Sequence, residues 1–461
     1  MKREKLADWA ALGCRWAVLA TIVISPTQWA ISRSYGGHLT LVDPLMLLAA
    51  CCWLVRVLAQ PEWWRKAQTL PWPVVMFVLP ALLSIFMVER EGMVDALRET
   101  VKIIEYFVVG YILYDDLLRA QPQRLRTVLY LMLGVTVAIM LMSVAQFFCC
   151  NDPIRGVTGT FNSRNVLGGW LAMILPVIFG VALYTPHLLL RIGLGILVLC
   201  GLLVDLSAAS LGAVLAVMVL LAATRGWRTF VVAMLAATFW VAVVTDHLGA
   251  FKDPGTGVRQ TSQQVLFRSI ELYAPDGQPE RRYPQWQSAV EMMLTHPWLG
   301  EGIGNYQRQV EQYTGTKPIP TGPSEPDIQN LYLVIGSTLG LPALFGFLAL
   351  LLMPAFLAGA AAPRHAHWRK GFVFGVAGGI AAFAITACWH PLLVRGIGLH
   401  LVLLLVVARL LSEWSTDQPP GTSRTDESQG SGSHRHHRQR WRSPEGLSGR
   451  HSGGSGTHRR N

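Results

Sequence analysis

Charged side chains are scarce in this sequence. Asp, Glu, Lys and Arg make up 15% of the 461 residues, whereas soluble domains carry about 25%. Hydrophobic residues make up 52%, and the mean hydropathy is +0.37. This composition excludes an ordinary soluble globular protein and indicates a chain that lies mostly in lipid.

Cysteine is sparse as well, and none of the seven cysteines lies in the long polar interval 247–328. A disulfide framework therefore does not hold that interval together. The first apolar run lacks a small-x-small cleavage site and is followed by further runs. We expect it to be a membrane span and not a cleavable signal peptide.

Long apolar runs recur along the chain. Runs of about 18–25 residues cross roughly 30 Å of hydrocarbon, and lipid admits only helices or closed barrels. We therefore predict an all-α fold, a polytopic membrane bundle of about twelve transmembrane helices. The predicted spans are 10–30, 39–59, 70–88, 100–117, 126–148, 165–184, 188–206, 209–224, 228–246, 329–357, 370–390 and 394–412.

Lys and Arg concentrate at alternate ends of these spans, which sets the orientation. Both termini are predicted to be cytoplasmic, and a large loop between the ninth and tenth spans periplasmic. The net charge of +11 follows from the cytoplasmic segments, so we expect no nucleic-acid partner. The predicted units are a nine-span bundle (1–246), the loop (247–328), three further spans (329–412) and a disordered tail rich in His, Arg, Ser and Gly (413–461).

The stretch HPWLGEGIGNY, residues 296–306, lies within the polar loop. The segment before it is predicted to be an amphipathic helix that begins at Pro284 and ends before Pro297. Its apolar stripe is Trp286, Ala289, Val290, Met293 and Leu294. Asn305 is a suitable N-cap for a second short helix, with Tyr306, Val310 and Tyr313 on one face. The glycines are predicted to form a tight turn that packs closely. No strand precedes them, so they are not a dinucleotide fingerprint.

Basic side chains on the predicted outer face suit an anionic substrate. Arg281 and Arg282 lie in the loop, and arginine binds phosphate in a bidentate manner. Arg164 follows Asn162 and Ser163 at the start of the sixth span, where the helix N-terminus also favours an anion. Capping accounts for Asn162 and Ser163 but not for Arg164.

Carboxylates and amides stand where the loop returns to the membrane. Glu325 and Asp327 precede the tenth span, and Gln329, Asn330 and Tyr332 follow them. Carboxylates at a helix N-terminus are commonly caps, but beside an apolar vestibule they can serve as a general base. Both interpretations of Glu325 and Asp327 stay open.

These stretches, in this order, resemble the O-antigen ligase and polymerase family of polytopic bacterial membrane proteins. The resemblance covers about 155–345 specifically. It rests on Gly159-Thr160-Phe161 with Asn165, Arg282 and Trp286 with three residues between them, the run from His296 to Gly300, Gly302 with Gly304-Asn305-Tyr306, and Asn330-Leu331-Tyr332-Leu333 with Gly340.

The resemblance implies a glycosyltransferase of the inner membrane that makes cell-surface polysaccharide such as lipopolysaccharide. Its donor would be an undecaprenyl-diphosphate-linked glycan at the periplasmic face, and its acceptor a glycan, a lipid or a protein. Membrane lipids surround such an enzyme, and neither a cofactor nor a metal is expected. Arg282 and Arg164 would hold the diphosphate. Arg281, Asn305, Asn330 and Tyr332 are further candidates for substrate binding.

The chain departs from the family where the acceptor would be activated. The usual histidine before Asn-Leu-Tyr-Leu is Gln329, which can orient a hydroxyl but cannot take its proton at neutral pH. Asp327 or Glu325 could act as the base in its place, or His296 could approach from the loop. The sequence also allows a non-catalytic relative that binds lipid-linked glycan and, less favoured, a flippase or transporter.

A flippase is the weaker interpretation because no internal repeat and no mid-span charge is evident. Lys102 and Glu105 stand near the start of the fourth predicted span. They are three residues apart and are expected to pair on one helix face.

Overall fold

The computed structural model describes residues 2–27, 30–32, 39–60, 70–119, 121, 123–149, 157–205, 207–243, 282–314, 328–393 and 396–416. This part of the chain is almost entirely helical. The predicted tail lies outside it apart from the first residues, because the last helix continues to Thr416. Most of the predicted periplasmic loop also lies outside the described residues.

The helices of the described residues are numbered here in chain order. They are α1 (Lys2–Ile24), α2 (Val42–Ala59), α3 (Trp72–Leu83), α4 (Met93–Ile103), α5 (Tyr111–Arg119), α6 (Arg124–Cys149), α7 (Arg164–Tyr184), α8 (Leu188–Val204), α9 (Ala208–Ala223), α10 (Trp227–Ala242), α11 (Arg282–Thr295), α12 (Tyr306–Thr314), α13 (Leu331–Ala361), α14 (His367–Thr386) and α15 (Ile397–Thr416). A π-helix, Ile104–Gly110, joins α4 to α5. Short 3-10 turns occur at Ser25–Thr27, Ser84–Met87, Arg90–Gly92 and Ala362–Arg364, and Ala30–Ser32 pairs antiparallel with Leu39–Thr40.

Seven helical stretches are long and apolar enough to cross a membrane, which confirms a multi-pass helical membrane protein. They are Arg3–Thr27, Val42–Ala59, Arg124–Cys149, Arg164–Tyr184, Leu331–Arg364, His367–Thr386 and Ile397–Trp414. Four shorter apolar helices occupy further predicted positions: Trp72–Met87, Leu188–Val204, Ala208–Ala223 and Trp227–Ala242. The total of about twelve spans is not confirmed, because the predicted span 100–117 does not appear in either group.

The stretch around 100–117 differs from the prediction because it is too highly charged. It runs through α4, the π-helix and α5, and α4 carries one charged face. Lys102 pairs with Glu99, Nζ to Oε1 2.6 Å, and not with Glu105 as predicted. Helical side chains lean toward the N-terminus, which favours the earlier carboxylate. The π-helix that begins at Ile104 also changes the angular register of Glu105.

A glycine seam joins α7 to α14, the most extensively packed pair of helices. Gly371, Gly375 and Gly379 recur at four-residue spacing along α14. A Cβ on Gly371 would overlap the carbonyl oxygen of Gly180, and a Cβ on Gly375 would lie 2.7 Å from the Cα of Val177. Small residues at this spacing let helix backbones approach closely within a membrane. The seam makes α7 and α14 the rigid centre of the bundle.

Helix α13 is interrupted near its middle. Gly340 has φ 86° and ψ 171°, a conformation that L side chains rarely adopt. The helix therefore consists of an N-terminal part that begins at Leu331 and a C-terminal part that ends at Ala361. Such a break exposes backbone groups that an intact helix would pair internally.

Candidate functional site

The HPWLGEGIGNY loop, residues 296–306, docks on the break in α13. The Glu301 N–H donates to the Ser337 carbonyl at 2.8 Å, and the Gly302 N–H donates to the Thr338 carbonyl at 3.1 Å. In the reverse direction, the Leu341 N–H donates to the Pro297 carbonyl at 2.8 Å. The loop thus supplies the hydrogen-bond partners that the helix lacks at Gly340.

The glycines of the loop are needed for this docking. Gly300, Gly302 and Gly304 have φ values of 60°, 97° and 70°. A Cβ on Gly300 would lie 2.5 Å from the Ser337 carbonyl oxygen, and one on Gly302 would lie 2.5 Å from the Val88 side chain. The predicted tight turn with close packing is therefore confirmed.

The two helices that flank the loop are both present, although α11 begins at Arg282, two residues before the predicted start at Pro284. Helix α11 ends at Thr295, just before Pro297, and α12 begins directly after Asn305. Together with the start of α13 they enclose a small core of Ala289, Met292, Tyr306, Val310 and Ile328. Asn305 is buried, and its Nδ2 donates to the Glu301 carbonyl at 3.0 Å.

The apolar stripe of α11 is buried only in part. Val290 and Leu294 are 44% and 77% exposed, whereas Ser288, which lies outside the predicted stripe, is buried. The Ser288 hydroxyl avoids an unpaired burial because it donates to the Pro284 carbonyl at 2.7 Å. The small side chains of Ser288 and Ala289 allow α11 to pack closely against its neighbours. Side-chain size, and not only hydrophobicity, therefore decides which residues of α11 are buried.

A histidine, a carboxylate and a phenol meet on the loop. His296 Nδ1 lies 2.8 Å from Glu301 Oε1, and the Tyr313 hydroxyl donates to the same oxygen. Burial and the hydrogen bond to Glu301 raise the pKa of Tyr313 to about 12, so the phenol keeps its proton. An ionised carboxylate only accepts, so Nδ1 is the donor of this bond, and the neutral form of the imidazole then has its lone pair on Nε2. The His296 side chain is 40% exposed, whereas that of Glu301 is 11% exposed.

The predicted residues at the start of α13 lie together beside this loop. Gln329 has its Oε1 buried with no hydrogen-bond partner among the described residues. Asn330 caps α13, because its Oδ1 accepts from the N–H groups of Tyr332 at 3.0 Å and Leu333 at 3.1 Å. The Tyr332 hydroxyl donates to the Ala384 carbonyl at 2.7 Å. Asn330 and Tyr332 therefore use their side chains in hydrogen bonds within the protein, whereas the Gln329 Oε1 has no partner among the described residues.

Of the other predicted site residues, the structure describes Arg164 with its side chain and Arg282 only as part of a helix. Arg164 is the first residue of α7 and is half-buried, and Ser163 caps that helix as predicted, accepting from the Val166 N–H at 3.3 Å. Arg282 opens α11, but its side chain lies outside the described part of the structure. Arg281, Glu325 and Asp327 lie outside the described residues altogether.

The segment after α14 connects the start of α13 with α7. The Leu331 N–H donates to the Ala387 carbonyl at 2.9 Å. Leu392 fills the space at Gly169, where a Cβ would lie 2.6 Å from its Cδ2. Arg164 therefore belongs to the same end of the bundle as Gln329, since Gly169 lies little more than one turn from it along α7.

Sequence reasoning missed Glu301 and Tyr313 as partners of His296. The signal was weak, because the three residues are spread over 18 positions and meet only when the glycine turn closes. Among the described residues, no group of three or more His, Cys, Asp or Glu side chains is arranged to hold a metal ion. The arrangement offers an oriented imidazole, an unpaired amide oxygen and a docked loop.

Comparison with known families gives one match to this part of the chain. A family model described as O-antigen ligase matches residues 196–348, about a third of the sequence. Over this segment the chain is similar to the O-antigen ligase family. The match runs from within α8 to within α13 and includes His296, Gln329 and the break at Gly340, whereas Arg164 precedes it. No match was found among curated proteins. The similarity supports a membrane function connected with glycans and a glycosyltransferase-like class of enzyme.

Proposed function

We propose that this protein is a membrane glycosyltransferase that transfers or polymerises an undecaprenyl-diphosphate-linked glycan at the periplasmic face of the inner membrane. The family match supports the class of enzyme. The single observation that carries the proposal is the docked loop, which holds His296 by Glu301 beside the break in α13. Such an arrangement is suited to a general base on a water-accessible surface.

His296 takes the role of the missing histidine in this proposal. Its Nε2 accepts the proton of the acceptor hydroxyl while the hydroxyl oxygen bonds to the anomeric carbon. The bond between that carbon and the diphosphate oxygen breaks, and undecaprenyl diphosphate leaves with the electron pair. Glu301 stabilises the imidazolium through Nδ1, and Tyr313 fixes the carboxylate. In-line attack inverts the anomeric configuration.

Gln329 orients the acceptor hydroxyl. Its buried Oε1 has no hydrogen-bond partner among the described residues, and such an acceptor is costly unless a ligand completes it. Asn330, Tyr332 and Asn305 already bind backbone groups with their side chains. We therefore assign them to shaping the site.

Arginine side chains hold the departing diphosphate. Arg282 and Arg164, with Arg281, supply the positive charge, as the resemblance implies. Negative charge develops on the diphosphate in the transition state, and stabilising such charge is usually the largest contribution to catalysis. These guanidinium groups therefore provide most of the rate enhancement.

The experiment compares surface glycans of a deletion strain complemented with wild type, His296→Ala, Asp327→Ala or Arg282→Ala. We expect the deletion to change glycan length or attachment, and wild type to restore it. His296→Ala and Arg282→Ala restore little, whereas Asp327→Ala restores normal glycans. His187→Ala is the matched control, because that exposed histidine lies beyond the far end of α7 from Arg164.

Each outcome of this experiment has one interpretation. Unchanged glycans after deletion contradict the enzyme and favour a non-catalytic relative that binds lipid-linked glycan, a function consistent with the loss of histidine at position 329. Failure of Asp327→Ala with normal function of His296→Ala moves the base to Asp327. Substrate that accumulates on the cytoplasmic leaflet supports a flippase.

A further inference from the structure

A cavity of about 140 Å³ lies directly beneath the glycine loop. Ile303 and Gly304 line it from the loop, and Leu331, Val334 and Thr338 line it from the N-terminal part of α13. Its other walls are α3, α4, the π-helix and the segment after α14. The volume far exceeds the roughly 10–15 Å³ that one water needs, and it is below the roughly 300 Å³ of a drug-sized pocket.

An ion pair forms the polar wall of this cavity. Lys102 Nζ lies 2.6 Å and 2.8 Å from the two carboxylate oxygens of Glu99. The side chains of Lys102 and Glu99 are 21% and 44% exposed. An ammonium has three donors and a carboxylate about four acceptor sites, so the pair can bind a ligand without separating.

Apolar side chains form the rest of the lining. Phe77, Tyr106 and Phe107 contribute to it, and Phe77 meets Phe107 edge to face with ring centroids 4.9 Å apart. These rings are almost fully buried, so they close the cavity and do not offer an open ring face. An apolar lining next to a few polar groups suits a ligand that has one apolar face and several hydroxyls.

The charge of the pair selects among polar ligands. Glu99 and Lys102 sum to zero, so the cavity offers no net attraction for a diphosphate, and the carboxylate repels an anion directly. A neutral polyol meets both a charged donor and a charged acceptor, and hydrogen bonds to charged groups are the stronger kind. The cavity therefore favours sugar hydroxyls over phosphate.

We propose that this cavity binds one sugar residue of the glycan, with Glu99 and Lys102 hydrogen-bonding its hydroxyls and the apolar lining contacting its less polar face. The proposal rests on the proposed glycosyltransferase function. It makes the pair a determinant of sugar specificity, separate from His296 and from the arginines that hold the diphosphate.

The test uses the full chain in lipid nanodiscs and a direct binding measurement. Saturation-transfer NMR is recorded with methyl glycosides of glucose, galactose, N-acetylglucosamine and rhamnose, and with inorganic diphosphate as an anionic probe. We expect at least one methyl glycoside to bind wild type and to bind Lys102→Met and Glu99→Gln about tenfold more weakly. Arg98→Met is the matched control, since Arg98 pairs with Asp95 at 3.1 Å on the same helix without lining the cavity.

A second variant separates sugar binding from loss of folding. Leu393→Trp fills the cavity from the segment after α14 and leaves the ion pair intact, and we expect it to abolish the same signal. Equal signals in wild type, Lys102→Met and Leu393→Trp overturn the proposal, as does a panel in which no glycoside binds. Binding of diphosphate that depends on Lys102 also overturns it, in favour of an anion site.

The outcome is distinguishable from failure of the proposed function. If wild type transfers glycan but Lys102→Met behaves like Arg98→Met, the cavity assignment alone is wrong. If a glycoside binds through Lys102 while deletion of the gene leaves surface glycans unchanged, the sugar site stands and the transferase does not.

Discussion

The backbone N–H of Glu301 donates to the carbonyl of Ser337 at 2.8 Å, which joins the loop that carries His296 to the N-terminal part of α13. The bond exists because α13 is broken three residues later, at Gly340. The site is therefore built on a helix break and a glycine turn that fit each other.

Gly340→Ala should lower stability and activity together. A Cβ at this residue would lie 2.8 Å from the Leu299 nitrogen and overlap the Trp298 carbonyl oxygen, in a backbone conformation that alanine avoids. Backbone strain alone costs about 1–3 kcal/mol. The thermal unfolding temperature in nanodiscs measures the loss. Gly359→Ala is the control on the same helix, because a Cβ there meets open space; an equal effect of both substitutions would refute this account.

Glu301→Gln should lower glycan transfer more than it lowers stability. The amide cannot stabilise an imidazolium at His296 as the carboxylate does. We therefore expect the rate of glycan transfer to fall by up to about 100-fold, the lower end of the 100- to 10,000-fold that a general base typically contributes. Tyr313→Phe removes one hydrogen bond to Glu301 and should cost less. Initial rates with a lipid-linked donor measure both. Full activity of Glu301→Gln would exclude His296 as the base.

Gln329→Met should preserve or raise the unfolding temperature while it lowers transfer. The Gln329 Oε1 is buried without a partner among the described residues, and an unsatisfied buried acceptor costs about 1–3 kcal/mol. Methionine fills similar space without this cost. Gln287→Met, at an exposed site on α11, should change neither quantity. A stability loss at position 329 with unchanged activity would show that Gln329 is a structural residue.

Asn330→Ala should lower stability by about 1 kcal/mol, because it removes the N-cap of α13. Asn330→Asp keeps an oxygen at the same place and should restore stability. Activity distinguishes a cap from a substrate ligand. If Asn330→Asp is stable but inactive, the amide binds substrate, as the resemblance implies.

Gly375→Leu should destabilise the whole bundle. A Cβ at Gly375 would lie 2.7 Å from the Val177 Cα, so a larger side chain separates α7 from α14. We expect loss of the monodisperse peak in detergent size-exclusion chromatography. Gly212→Leu, with open space at its Cβ, should elute like wild type. Normal elution of Gly375→Leu would mean that the seam is not needed for folding.

The sequence predicts a local element well where one residue type determines its boundary. Pro297 follows the end of α11 and Asn305 directly precedes α12, and long apolar runs give most of the spans. The sequence could not show that Gly340 lies against Trp298, because no local pattern reports a contact between positions 42 residues apart. The predicted span 100–117 is not confirmed, because this stretch is divided among α4, the π-helix and α5.

The docking of the loop on the helix break has a mechanical consequence. Hydrogen bonds in both directions fasten the loop to the turns of α13 on each side of Gly340. Bending at this glycine would have to stretch or break at least one of these bonds. The loop therefore stiffens α13 across its own interruption.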